Sequence, residues 1–177
     1  NDEILYPRSV GGALFRISAG GGAPTHVTEL EKHTSHRFPY FLPDGRHFIY
    51  FAVGAPDVGG LYLGELGALK GKRLAGSESA GIYSDGWVMF VRGGRLLAQR
   101  LNIEHGAVEG DPVTVADTTA FEASSYGAAI STSRTGHIAY RAGGANRRQL
   151  IWFDRSGKQL GTWGAADDSL LAPSLSS

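Results

Sequence analysis

Short runs of apolar, aromatic and β-branched residues recur along the whole chain, each closed by glycine, proline or aspartate. The runs fall at Ile4–Tyr6, Ala13–Ile17, Phe38–Leu42, His47–Val53, Leu61–Leu66, Gly81–Ser84, Trp87–Arg92, Leu96–Leu101, Val113–Ala116, Ala128–Thr132, His137–Arg141 and Gln149–Asp154. Between them stand Gly11-Gly12, Pro43-Asp44-Gly45, Gly59-Gly60, Ser84-Asp85-Gly86, Gly93-Gly94, Thr135-Gly136, Gly143-Gly144 and Ser156-Gly157. Four to seven apolar residues bounded by such turns predict strands joined as hairpins. No segment keeps a helical stripe without a glycine or proline interrupting it. The pattern predicts an all-β chain.

The turns are periodic. Tight turns close on Gly45, Gly86 and Gly136, spaced by 41 and 50 residues, and a strongly apolar strand follows each one. Another strand and then a fourth, weaker one complete each unit, for example Gly60-Leu-Tyr-Leu and then Lys72-Arg-Leu-Ala after the strand from His47. Four strands per 40–50 residues is the mark of a β-propeller blade. Blades pack face to face, so their middle strands are buried on both sides and read as continuous apolar runs rather than alternation. Phe48-Ile-Tyr-Phe-Ala-Val, Trp87-Val-Met-Phe-Val and Leu150-Ile-Trp-Phe fit that demand; a sandwich or closed barrel would alternate more and lack the repeat. The expected architecture is a single β-propeller domain or propeller fragment of four-stranded antiparallel blades over 1–177. Three blades are complete (36–76, 80–117, 127–163), and a fourth is formed from both termini, 1–30 with 170–177. The longer stretch 102–127 reads as an irregular connection.

Composition narrows the chemistry. The 26 glycines suit a turn-rich β fold, and 17 Lys plus Arg balance 17 Asp plus Glu. A neutral chain lacks the basic footprint of sequence-independent nucleic-acid binding, so no nucleic-acid partner is expected. No apolar stretch reaches the ~18 residues of a helical membrane span, so no direct membrane insertion is expected. The absence of cysteine excludes disulfides, thiolate metal sites and a cysteine nucleophile. A start at Asn1 without methionine reads as a piece cut from something longer.

Catalytic motifs do not assemble. There is no G-x-G-x-x-G loop. Gly67-Ala-Leu-Lys-Gly-Lys-Arg73 is one residue short of a phosphate loop and has arginine where a magnesium-binding hydroxyl belongs. Ser77-Glu-Ser-Ala-Gly81 lacks the first glycine of a nucleophile elbow. His33 and His36 have the spacing of two imidazoles on one ion, but no third ligand stands nearby, and His36 reads as hydrogen-bonded at the mouth of an inner strand. No metal and no cofactor are expected, and the chain is read as not an enzyme.

In such a fold the loops entering inner strands and those joining second to third strands share one face. These are Thr28–His36, Gly76–Ala80, Asp117–Gly127 and Gly164–Leu170, with Arg8–Gly12, Gly54–Gly60 and Gly143–Arg148. They are longer than the opposite turns, which makes this the binding face. The candidate binding residues on it are His33, His36, Arg37, Phe121, Tyr126, Arg147, Arg148 and Trp163, with His36, Arg37 and Tyr126 expected at the channel entrance.

The stretch from Ser35, Ser-His-Arg-Phe-Pro-Tyr-Phe-Leu-Pro-Asp-Gly-Arg-His-Phe-Ile-Tyr-Phe-Ala, resembles TolB-like propeller repeats, relatives of the WD-repeat propellers. It shares the mid-strand Pro39, the Pro43-Asp44-Gly45 turn and an apolar second strand. The segments from Gly12 and from Leu150 are similar to the same unit, so the likeness spans nearly the whole chain. The turn departs from the pattern at Ser84-Asp85-Gly86 and at Arg134-Thr135-Gly136. The likeness is nearest to propellers in the extracytoplasmic C-terminal region of bacterial serine/threonine kinases. It implies a periplasmic or extracytoplasmic, non-catalytic scaffold docking a protein, peptide or small ligand. An alternative is an accessory propeller gating a hydrolase or lyase whose catalytic domain lies outside the chain. A third expectation is a homodimer through open blade edges.

Overall fold

A computed structural model of the chain describes residues 2–133, 137–142, 148–154 and 156–167. The chain divides into two compact units, Asn1–Ala142 and Gly143–Ser177. The all-β class stands: every strand pairing is antiparallel, and the described residues contain no helix and no closed barrel. None of them forms a helix long and apolar enough to cross a membrane.

The first unit is a series of small sheets. Strands β1 (Glu3–Pro7), β2 (Leu14–Ser18) and β3 (Thr25–His26) form a three-stranded sheet in sequence order. Next comes a four-stranded meander of β4 (Ser35–Phe41), β5 (His47–Val53), β6 (Gly60–Glu65) and β7 (Ala68–Ala75). A second meander follows: β8 (Ile82–Ser84), β9 (Trp87–Arg92), β10 (Arg95–Asn102) and β11 (Ala107–Ala116). Two short hairpins complete the unit, β12 (Phe121–Glu122) with β13 (Gly127–Ala128), and β14 (Ile130–Thr132) with β15 (Ile138–Tyr140). The second unit holds one hairpin, β16 (Arg148–Phe153) with β17 (Gln159–Asp167).

Strand alternation explains how the sheets stack. On β5, Phe48, Tyr50 and Ala52 point to one side, where they pack with Leu14, Val27 and Tyr62. Ile49 points to the other side and packs, with Leu61 and Leu63, against Val88, Phe90, Leu97 and Leu101 of the second meander. From that meander's far face, Met89, Leu96 and Ala98 meet Ile130 of β14. Each middle strand is therefore covered on both faces, so Phe48–Ala52 and Val88–Val91 are buried without a break. Continuous apolar sequence is the direct consequence of that double burial.

Two irregularities shape the sheet edges. Arg37 pairs with Phe51 and Tyr40 with Ile49, leaving Phe38 and Pro39 opposite Tyr50 as a bulge on edge strand β4. Proline is tolerated there because no ladder donor is required, and Phe38 takes a left-handed φ of 52°. On β11 the register jumps from Glu109 to Val113 across Gly110, Asp111 and Pro112. The buried Gln99 amide spans the gap by donating to the Gly110 carbonyl at 2.6 Å.

Some expectations change. The stretch 102–127, read as an irregular connection, contains the ten-residue β11 and the β12–β13 hairpin. Of the expected blade 127–163, the described residues show the β14–β15 hairpin in the first unit and the β16–β17 hairpin in the second. The closing strand expected at Leu171–Ser177 and the Arg134-Thr135-Gly136 turn lie outside the described residues.

Candidate functional site

The start of β4 carries two candidate residues on opposite faces, as the two-residue period of a strand requires. His36 turns inward, toward Thr28 and Tyr50. Arg37 turns the other way, toward Phe51 and Tyr126.

The inward face is a buried polar chain. Thr28 Oγ1 accepts the Leu14 amide at 2.9 Å and lies 2.9 Å from His36 Nδ1. His36 Nε2 lies 3.0 Å from His33 Nδ1, and His33 Nε2 lies 3.0 Å from the Tyr62 hydroxyl. That hydroxyl donates to the Val58 carbonyl at 2.6 Å. Its single hydrogen is thereby spent, so the Tyr62 oxygen must accept from His33 Nε2–H. With both rings neutral, His33 Nδ1 then accepts from His36 Nε2–H, and His36 Nδ1 accepts the Thr28 hydroxyl hydrogen; the network assigns both tautomers. His36 is fully buried, and burial, seconded by His33, pushes its imidazole down to about 4. Burial also holds the Tyr50 and Tyr62 phenols above their ordinary range.

This arrangement ties loop 54–60 to the head of β4. The two facing imidazole nitrogens share a hydrogen bond, and among the described residues no group of three or more metal-ligating side chains gathers. Because His36 is enclosed, a molecule arriving at the surface meets Arg37 and Tyr126, and not His36.

The outward face is built by Arg37. Its Nε donates to Ser35 Oγ at 2.8 Å, and its terminal nitrogens donate to the Val10 carbonyl at 2.8 Å and the Ser125 carbonyl at 3.5 Å. The guanidinium lies 5.4 Å from the Tyr126 ring centroid, and that ring packs on Phe51 at 5.1 Å. Tyr126 sits at φ 64° near the tip of the β12–β13 hairpin. A bulky residue in that region persists only where its surroundings hold it. Here its amide donates to Glu122 O at 2.6 Å and its carbonyl accepts the Ala80 amide at 2.8 Å. Segments near positions 10, 36, 80 and 126 thus converge at one end of the stacked sheets.

Of the eight candidates, the structure joins His33 with His36 and, separately, Arg37 with Tyr126. Phe121 is half-buried on β12, in the hairpin that carries Tyr126. Arg147 lies outside the described residues; Arg148 and Trp163 have described backbone on β16 and β17 but side chains outside that description. Sequence reasoning missed Thr28, Tyr62, Val10, Ser125 and Phe51 as members of these clusters. Phe51 stands in an apolar run that reads as core, and carbonyl ligands such as Val10 and Ser125 leave no side-chain signature. No protein-family model matches the sequence, and no curated protein matches it.

Proposed function

We propose that this chain is a non-catalytic binding module: a β-propeller, or part of one, whose inner-strand entry loops dock a protein, peptide or small ligand. Two successive four-stranded meanders, stacked face to face with shared apolar layers, support the propeller reading. The observation that carries the binding reading is the convergence at Arg37. Its guanidinium gathers Val10, Ser35 and Ser125 while stacking on Tyr126. A rigid mouth formed by distant loops on a stacked scaffold is the usual form of a docking site. The resemblance to TolB-like repeats adds an extracytoplasmic setting in a larger bacterial envelope protein, as in the kinase-associated propellers.

Selection of binders from a random peptide library against the whole chain tests the reading. Peptides so obtained are expected to lose binding to Arg37→Glu and Tyr126→Ala, and to keep binding to Asp154→Asn on a turn of the second unit. Peptides indifferent to both mouth substitutions would place recognition elsewhere and overturn it.

A further inference from the structure

The guanidinium of Arg37 has five N–H donors. One on Nε is taken by Ser35, one on a terminal nitrogen by Val10, and one on the other by Ser125. One N–H on each terminal nitrogen is therefore left over. The contact to Ser125 is long, at 3.5 Å. Among the described residues no carboxylate comes within ion-pair distance of Arg37, although Arg16, Arg46 and Lys70 each have one. A half-buried cation without a counter-charge, offering one donor from each of two coplanar nitrogens, has the inventory that a carboxylate takes up.

The surroundings narrow the class further. Val10, whose carbonyl holds the guanidinium, is 76% exposed, and Phe38, next along the bulge, is 40% exposed. Both apolar residues neighbour the guanidinium's own attachments, Val10 through the carbonyl that Arg37 bonds and Phe38 as the next residue of the bulge on β4. A C-terminal residue carries its carboxylate and its side chain on one Cα, so it offers charge and apolar surface to adjacent positions at once, whereas an aspartate or glutamate carries the charge on the side chain itself. Resting on the binding reading above, we propose that Arg37 captures the free C-terminal carboxylate of a peptide whose last side chain is apolar, and that this side chain packs between Val10 and Phe38.

The test uses the whole chain, isotopically labelled for NMR, and three probes: acetyl-Ala-Ala-Phe with a free carboxylate, its C-terminal amide, and acetyl-Ala-Asp-Phe-amide. The free acid is expected to shift the Arg37 Nε–H and Tyr126 amide resonances in a saturable way. The amide and the side-chain acid are each expected to bind at least tenfold more weakly. Arg37→Lys keeps the charge and loses the fork, so it should weaken the free acid about tenfold while the β5 and β9 amide resonances stay in place. Equal binding of acid and amide, or shifts that map away from Arg37, overturns the proposal. Equal binding of the aspartate probe overturns the choice of a chain end. If Arg37→Lys fails to fold, the three-probe comparison on the native chain decides by itself. Library peptides that depend on Tyr126 but bind equally well as amides would remove this inference and leave the docking reading standing.

Discussion

Nε2 of His36 and Nδ1 of His33 lie 3.0 Å apart with one proton between them, and that proton's position is fixed from the far end of the chain by Tyr62. The pair joins two segments that strand pairing leaves apart, the head of β4 and loop 54–60. A proton added to the buried ring would displace the Thr28 hydroxyl hydrogen from His36 Nδ1. The groups facing His36 are His33, Thr28 and Tyr50, with Glu31 acting at longer range.

Acid stability should carry the mark of His36. Its imidazole is lowered from 6.5 to about 4 in the folded chain. Above the upper value both states are neutral, and this group contributes no pH dependence. Between the two values the unfolded chain binds a proton that the folded chain refuses, so stability falls by ~1.4 kcal/mol per pH unit on acidification. Below the lower value both states are protonated and the loss stops. Urea denaturation across this range should show that slope, and His36→Leu should remove about one proton's worth of it. At neutral pH the same variant should be less stable by roughly 1–3 kcal/mol, since Thr28 and His33 lose a partner. An unchanged acid slope in His36→Leu would assign the titration to another group.

Gly64 is a packing glycine. It stands opposite Phe48 in the β5–β6 register, and a Cβ there would fall 2.4 Å from the Phe48 ring. Phe48 is fully buried and its ring cannot withdraw. Gly64→Ala should cost about 2–3 kcal/mol, whereas Phe48→Leu combined with it should recover part of that loss. Thermal melts of the two single variants and the double variant read the coupling; strictly additive losses would show that the two side chains do not compete for the same space.

The Pro43-Asp44-Gly45 turn is held by its aspartate. Asp44 Oδ1 accepts the Arg46 and His47 amides at 2.9 Å each, and Oδ2 accepts from His47 Nδ1 at 2.6 Å. Partial burial raises the carboxyl, but the bonds from His47 and Arg46 outweigh it, and the net shift is downward. Its contribution is therefore present above the ordinary carboxylate range and is lost as pH falls through the lowered value. Asp44→Ala should destabilise by roughly 1–2 kcal/mol at neutral pH, and Asp44→Asn, which keeps an acceptor for the two amides, by less. Equal losses in the two variants would assign the effect to charge alone.

Legibility in the sequence follows burial. His47–Val53 and Trp87–Arg92 are strands with the bounds that their apolar runs predict, because a strand covered on both faces has no polar positions to blur it. The outer strand β11 exposes Glu109, Asp111 and Val113, and it breaks at Gly110-Asp111-Pro112. Its sequence therefore reads as a strand only from Val113 onward. The β12–β13 hairpin has two residues per strand, too few for any period. At the site, the types and positions of His36, Arg37 and Tyr126 were readable, and their partners were not. The ring of Tyr126 reaches Arg37 across 89 positions of chain, and local pattern carries no record of a contact at that separation.

Two buried threonines should respond in opposite directions to the same change. Thr28 Oγ1 accepts the Leu14 amide and donates to His36, so Thr28→Val strands both partners in an apolar interior. A loss of about 2–4 kcal/mol is expected, since each buried group left unpaired costs roughly 1–3. Thr119 is 3% exposed, and its Oγ1 has no hydrogen-bond partner among the described residues, although its amide donates to Gly94 O at 2.9 Å. Valine keeps that amide bond and the shape of the side chain while deleting an oxygen that was desolvated without return. Thr119→Val should therefore stabilise by about 1 kcal/mol, read as a rise of roughly 2–4 °C in Tm for a chain of this size. The sign of the difference is the decisive measurement. Were Thr119→Val to destabilise as Thr28→Val does, its hydroxyl would have to be bonded in solution, and the entry to β12 would be organised around it as the entry to β4 is around Thr28.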